Sequence, residues 1–456
     1  MTGHPGGGTA VDAGPLATRH AGPRRLRVGL GLTSAVVVAA VAGLLALVGV
    51  AAVSDRPPVF LAAGLVVFLA ATAAGVTLAT RRVPGRRRRR LRLASFAGGA
   101  LAGMVVFAAT ALVPLGDPRL APAPVAGQRF WELPTGSRIA YVHLPARGPS
   151  PRPTPVVFLH GGPGIADMAG DAAYFGRLTG DGYHVYVYDQ VGTGRSGRLA
   201  DPRQYTIARE VADLEAIRRR IGADRLVLIG HSWGGQVAAA YLAAHPGHVA
   251  RVVFSSPGAL APATDDGSAG AVKARLPWTR RLRLYALLVR PRALLGWTLL
   301  QVNPGAAHAF VGDAEMDARN DRVYNAGRAG AHCRDQGPEP ALHGLGFYTY
   351  QFPQSAAARP WADPRPALAR LDTPALVIKG SCDYLSWAYG TDYQRGLHNA
   401  RLVYLHHAGH NAYQDQPAQF LAVVRAFLAD RPLPVPPWRD DGVPADYEGP
   451  PGKASP

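Results

Sequence analysis

Ser232 stands in "LIGHSWGGQ", with Gly230 two residues before it and Gly234 two residues after. A neutral serine hydroxyl is a weak nucleophile. It needs a base to take its proton, and the base needs a third group to orient it. Glycines at both flanks let a strand run into a helix through a turn that side chains would block. Such a turn lifts the hydroxyl above the sheet, at a helix N-terminus. The chemistry of a serine so placed is acyl transfer. Its partners are expected in the chain order serine, acid, histidine. Asp383 follows the apolar run "PALVIKG", in "SCDYLSW", and His410 follows "ARLVYLH", in "HAGHNAY". His406 and His407 compete for the role of base but stand at the end of the run, before the turn. The plainer readings are an incidental serine in a glycine-rich turn and an Asp383 that caps the following helix.

A second glycine cluster, "HGGPG" at His160–Gly164, also follows an apolar run. Its glycines let backbone N–H groups point inward. The N–H of Gly162, with Gly161 next to it as the alternative, is expected to join the N–H of Trp233 in an oxyanion hole. His160 is expected to support this loop and to take no part in the chemistry.

These residues need a frame. "TPVVFLH", "YHVYVYD", "RLVLIG", "VARVVFSS", "PALVIKG" and "ARLVYLH" read as short buried strands. Between them lie helical patterns such as "TIAREVADLEAIRRRIG", which opens on a threonine cap, and "QPAQFLAVVRAFLAD". The alternation predicts an α/β fold with a mostly parallel sheet covered on both faces. Ligands of such sheets gather at the carboxyl ends of the strands, where the unusual residues fall.

HGGPG, "DQVGTGRSG" at Asp189–Gly197, GHSWGG, a late aspartate and a late Gly-His together resemble the α/β-hydrolase fold. Within it they are similar to the prolyl aminopeptidase (proline iminopeptidase) family of serine peptidases, over Arg129–Leu428. The resemblance implies Ser232 as nucleophile, Asp383 as orienter and His410 as base, with hydrolysis through an acyl-enzyme and no cofactor or metal. It implies a helical cap at 257–371, inside a catalytic domain at 128–431. It also implies acidic cap residues that hold the substrate's amino group. The tryptophan-flanked cap glutamate of that family is not recognisable. Glu315, Asp317 and Asp321 of "GDAEMDARNDRVYN" are the candidates, with a solvated acidic helix face as the alternative. His231 also stands where that family often has glycine. The leading expectation is an aminopeptidase that removes N-terminal residues from peptides. The runner-up is an esterase or amidase on small acyl substrates. A third reading is a non-enzymatic binding protein of the cell envelope, whose signature would be a broken triad.

The chain of 456 residues has a net charge of +18, and only three of its basic residues are lysines. Residues 1–116 hold thirteen arginines against Asp12 and Asp55, so +11 of the charge lies there. Three uncharged spans, 28–53, 58–80 and 94–113, occupy this region. At 1.5 Å per residue each is long enough to cross about 30 Å of hydrocarbon. Between the second and third lies "RRVPGRRRRRLR", eight arginines in twelve residues at Arg81–Arg92. Basic loops stay cytoplasmic. The expected topology is therefore an N-terminus inside and a catalytic domain outside, with the arginine loop facing lipid head groups and no nucleic acid bound. Residues 1–23 are expected to be disordered, 24–116 to form the membrane region, 117–127 a Pro/Ala linker, and 432–456 a disordered proline-rich tail. Two cysteines exclude a disulfide-rich scaffold and a cysteine-rich metal site. On the outer side, a Cys333–Cys382 bridge would pin the cap to the acid-bearing loop; two buried thiols are the alternative.

Overall fold

The structure is a computed structural model that describes residues 22–148, 150–261, 268–333, 340–440 and 442–452. The chain divides into two compact units. One is formed by residues 1–50 and 58–107, the other by 51–57 and 108–456.

The first unit holds three helices long and apolar enough to cross a membrane. They are α1 (Gly22–Ala51), α2 (Pro57–Ala79) and α3 (Gly85–Phe107), the last continued by a π-helical turn at Ala108–Leu112. Small residues let the helices approach: a Cβ on Gly43 would lie 2.9 Å from Gly64 O and from Phe68 Cβ. The expected arginine loop is shorter than its charge suggests. Only Thr80–Pro84 is non-helical, and Arg86–Arg92 form the first turns of α3. Arginine is a good helix former, and Pro84 stands just before the helix, where proline is tolerated. Arg92 Nε donates to Thr80 Oγ1 at 2.9 Å and so closes the turn. The expected disordered N-terminus lies outside the described residues except for Gly22 and Pro23, which are helical.

The second unit is built on eight strands in the order β1-β2-β4-β3-β5-β6-β7-β8. These are β1 (Arg129–Glu132), β2 (Arg138–Leu144), β3 (Val156–Leu159), β4 (Val185–Tyr188), β5 (Leu226–His231), β6 (Val249–Ser255), β7 (Ala375–Gly380) and β8 (Ala400–Leu405). From β4 to β8 every pairing is parallel; β1 and β2 form an antiparallel edge. The central strands β3, β5 and β7 are buried at every position, as strands covered on both faces must be. The helices α4 (Met168–Phe175), α5 (Ile207–Ile221) and α6 (Trp233–Ala244) alternate with the first of these strands. Thr206 caps α5, and Gly222 ends it in the left-handed region.

Between β6 and β7 lies the cap. It comprises α7 (Ser268–Arg275), α8 (Trp278–Leu288), α9 (Pro291–Val302), α10 (Pro304–Phe310), α11 (Asp313–Gly327), α12 (Phe347–Gln351) and α13 (Arg365–Leu368). The chain then runs through α14 (Trp387–Gly396), α15 (Ala412–Asp415) and α16 (Pro417–Leu428).

The expected disordered tail is ordered over its described residues. Pro437 bridges Val403 on the edge strand β8, and Trp438 N donates to Leu402 O at 2.7 Å. Trp438 and Tyr447 both pack edge-on against Trp387. Asp446 accepts from Tyr404 Oη at 3.0 Å and pairs with His406 Nδ1 at 2.8 Å. Proline costs little entropy to order, and the two aromatic anchors supply the burial that proline content alone conceals. The tail also covers an otherwise open sheet edge.

Candidate active site

Ser232 is the hinge between β5 and α6, with φ 53° and ψ −115°. This is a rare conformation for a residue with a side chain, and it persists because its surroundings fix it. Ser232 N donates to Ser255 O at 2.9 Å, and Ser232 O accepts from Gly235 N and Gly258 N. The flanking glycines are obligatory: a Cβ on Gly230 would collide with Gly234 O, and one on Gly234 with Leu159 O. The serine therefore sits at the carboxyl end of a central strand, one residue before a helix of twelve residues.

Asp383 lies in the turn after β7 and is fully buried. Its Oδ1 accepts from His410 Nδ1 at 2.8 Å and from Leu385 N at 3.0 Å, while Lys379 Nζ binds Oδ2 at 2.7 Å. Burial pushes this carboxyl up, but the charges of Lys379 and His410 and their hydrogen bonds outweigh it, so Asp383 is held well below the usual carboxylate range. The carboxylate is thus ionised and aimed at one ring nitrogen of His410, which leaves the other nitrogen for a nucleophile. Among the described residues His410 makes no hydrogen bond to the Ser232 hydroxyl. Such bonds are commonly long without substrate and tighten on binding. The two rings that flank His410 belong to Tyr384, at 4.5 Å between centroids, and His231, at 4.8 Å.

His231, beside Ser232, is neutral. Burial, then the neighbouring His410, pushes it down to about 3. It spans from Ser255 O at 3.2 Å to Asn411 Oδ1 at 3.1 Å and so ties the serine turn to the histidine loop.

The glycine loop after β3 folds against the serine. A Cβ on Gly161 would lie 3.0 Å from Ser232 Cβ, so Gly161 is the loop glycine that touches Ser232. Gly162 follows at φ 122°, a conformation closed to other residues. Trp233 opens α6, where backbone N–H groups have no intrahelical acceptor. His160 supports the loop. Its Nε2 accepts from Gln190 N at 2.9 Å, its Nδ1 faces Gly161 O at 2.9 Å, and burial holds it down to about 4. Gln190 Nε2 returns a bond to His160 O at 2.8 Å, which joins HGGPG to DQVGTGRSG. That second loop winds around Asp189, which accepts from Arg195 N at 2.8 Å.

The cap carboxylates have other partners. Glu315 binds Arg292 at 2.7 Å and accepts from Leu115 N, and Asp317 binds Arg198 at 2.8 Å and accepts from Phe347 N. Asp321 accepts from Gly344 N and Leu345 N. The candidate amine-binding acids tie cap segments to one another and to the chain outside the cap, and among the described residues none is bonded to Ser232. A cavity of about 540 Å³ is lined in part by Asp167, Met168, Tyr174, Arg195, His343 and Tyr413; Ser232, Asp383 and His410 are not in its wall.

Sequence reasoning missed three supports of the acid and base. Lys379 is one; its signal was a lone lysine inside an apolar strand pattern. The second is the cap strap Ala331–Cys333. Ala331 O accepts from His410 N at 2.8 Å, and Asp415 binds His332 Nδ1, Cys333 N and Gly409 N. Cys333 is also disulfide-bonded to Cys382, which is the pairing the sequence offered against two buried thiols. The third is the tail, where Glu448 N donates to Ser381 O at 2.8 Å and Tyr447 Oη to Leu385 O.

Residues 154–328 match the α/β hydrolase fold family. The chain is 30% identical over 281 residues to pig 1-acylglycerol-3-phosphate O-acyltransferase ABHD5, covering 58% of this chain and 75% of that one. It is 38% identical over 130 residues to a proline iminopeptidase of Heyndrickxia coagulans, a match spanning 28% of this chain and less than half, 42%, of the relative. The crystal structure of a Mycobacterium smegmatis proline iminopeptidase overlays with a TM-score of 0.45 at 24% identity, covering 66% of this chain and 98% of that one. The family match, the relative of 30% identity, the β5–Ser232–α6 turn and the parallel sheet agree: the chain belongs to the α/β-hydrolase fold family.

Proposed function

We propose that this chain is a membrane-anchored serine hydrolase that passes the acyl group of its substrate to Ser232 and then to water. The observation that carries the reading is the Asp383–His410 pair, 2.8 Å apart and buried beside the strained Ser232 turn. His410 takes the serine proton as Ser232 Oγ attacks the carbonyl carbon. The N–H of Trp233 and an N–H of the Gly161–Gly162 loop stabilise the oxyanion. His410 then protonates the leaving group, and a water activated by the same imidazole releases the acid. The apolar spans and the arginine run support an anchored chain with this site facing outward.

The paired cap carboxylates favour an ester or amide of a small acyl group over a peptide with a free amino terminus, because Glu315 and Asp317 are already neutralised by arginine. The likeness to two proline iminopeptidases, from Heyndrickxia coagulans and from Lactobacillus delbrueckii subsp. lactis, favours the aminopeptidase as a second reading. Fluorophosphonate labelling tests the nucleophile: wild type reacts, and Ser232→Ala does not. Labelling of the variant at the wild-type rate would refute the assignment. A panel of proline-, alanine- and tripeptide-amides against short acyl esters separates the two substrate classes.

A further inference from the structure

Trp278, Leu282, Tyr285 and Val289 succeed one another at steps of four, three and four. Along α8 and its C-terminal residue this spacing makes one stripe. The stripe faces outward, with the four side chains 74, 62, 45 and 61% exposed. The opposite side of α8 is the packed one, where Leu284 is buried and α11 lies against the helix. On α9, Leu294 and Trp297 are likewise exposed, while Leu295, Leu299 and Leu300 are buried. Single exposed apolar residues are ordinary, but four in one helical stripe, with a tryptophan at its head, mark a surface that meets something.

Charge indicates what it meets. Residues 268–302 hold seven lysines and arginines and no acid. Arg280, Arg283 and Arg290 are exposed and have no ion pair among the described residues. Elsewhere in this unit arginines such as Arg198, Arg218 and Arg425 are paired with carboxylates. A basic rim around an apolar, tryptophan-bearing stripe complements anionic phospholipid: the stripe enters the acyl boundary and arginines bind phosphate.

Chain continuity supplies the location. Residues 51–57 and 108–112 belong to the same compact unit as the cap. α9 packs on Ala108–Leu112, which directly continue α3, and Arg292 Nη1 donates to Ala111 O at 3.2 Å. Asn303, the cap of α10, donates to Ala51 O at 2.8 Å and to Asp55 Oδ1 at 2.7 Å. The residues that leave two membrane-length helices therefore abut the α9–α10 corner.

We propose that the α8–α9 face of the cap rests on an anionic lipid surface, and that the site takes amphiphilic acyl substrates from that surface. This rests on the membrane-anchored reading above. The docked helix is also close to the chemistry. Arg275, three residues before α8, donates to Cys382 O and Asp383 O.

The test uses the full chain in nanodiscs of phosphatidylcholine and phosphatidylglycerol. A spin label on Leu282→Cys is expected to collide more with oxygen than with a water-soluble nickel chelate, and a label on Gln419→Cys, an exposed position of α16, to do the reverse. A Leu282 label as water-accessible as the Gln419 label would overturn the docking. So would spin–spin broadening at Leu282, which would make a second copy the occupant. Trp278→Glu with Leu282→Glu is expected to slow turnover of a long-chain acyl ester in the same bilayer about tenfold. Fluorophosphonate labelling and hydrolysis of a water-soluble short ester should stay near wild type. Equal loss on both esters would overturn the substrate class. A wild-type chain inert to both esters and to the probe would sink the hydrolase reading, while the spin-label result would still decide the docking.

Discussion

Lys379 and Arg292 each hold a carboxylate at 2.7 Å, one in the sheet and one in the cap, yet the two contacts differ in consequence. Lys379 and Asp383 are both fully buried, whereas Arg292 and Glu315 keep 12 and 21% of their side chains in solvent. In low dielectric the same separation is worth far more, and an orphaned partner costs far more. The sheet therefore uses charge to fix one carboxylate, that of Asp383, against the ring of His410. The cap uses it to hold helices to one another and to the chain that leaves the apolar spans. Charge in the first region sets chemistry; in the second it sets placement.

The largest effect should come from the chemistry itself. Ser232→Ala or His410→Gln should lower hydrolysis by about 10³-fold or more, with little change in the melting temperature. Active-site titration with a fluorophosphonate checks this. A comparable loss from Arg292→Met would contradict the division between the two regions.

Next comes the pair itself. Lys379→Met leaves Asp383 buried without its cation and should cost about 3–5 kcal/mol of stability. It should also lower the probe-labelling rate about 10- to 100-fold, as an acid that orients the base becomes easier to protonate. Lys379→Arg should restore part of the rate. Arg292→Met, which breaks a pair that solvent still reaches, should cost less, about 1 kcal/mol, and leave labelling unchanged. Urea unfolding of the solubilised chain, run beside the labelling assay, measures both. Equal stability losses would remove the distinction drawn here from burial.

The Cys333–Cys382 bridge joins the two regions, closing 49 residues between cap strap and acid turn. The chain-entropy argument gives about 4 kcal/mol for a loop of that length, with 2–4 the common range. Cys333→Ser with Cys382→Ser should therefore lower the melting temperature and slow labelling, because the strap that sets Ala331 O against His410 N and Cys333 N against Asp415 loses its covalent anchor. If melting and labelling are the same with and without reductant, the bridge is not a support of the site.

Legibility followed the same division. Ser232, Asp383 and His410 could be read because glycine punctuation and apolar runs are local signals, and the sheet imposes both. The edge strands were harder: "RFWE" and "RIAYVHL" alternate, and no glycine-bounded apolar run announces them. Lys379 was invisible as a partner, since only the turn that follows β7 brings its ammonium back to Asp383. The cap acids were misleading, because a carboxylate in a sequence carries no sign of whether an arginine from a distant segment already holds it. The tail misled in the other direction. Its prolines suggested disorder, while Trp438 and Tyr447, the residues that anchor it, are two letters among many.

The smallest expected effect compares two glutamates with arginine partners. Glu215 on α5 is bound by Arg218 and Arg219 and accepts from Tyr241 Oη. The Arg218 hydrogen bond is the leading cause that pulls it down to about 2, against burial. For Glu315, burial pushes upward, but Arg292 and Leu115 N outweigh it and leave the group below its usual value. A depressed carboxyl contributes stability that is complete above its unfolded pKa and is lost as pH falls through its folded one. Both contributions should thus begin to fade below about pH 4.5, and that of Glu215 should persist to about pH 2. Solvent around both pairs reduces their worth to about 1–2 kcal/mol for Glu215 and less for Glu315. The stability gap between wild type and Glu215→Gln should be constant above about pH 5 and narrow steadily toward pH 3. Glu315→Gln should give the same shape at smaller amplitude, and added salt should shrink the cap gap more than the core one. A gap that stays flat with pH would assign the cost to lost packing, and the contrast between core and cap charges would then rest on Lys379 alone.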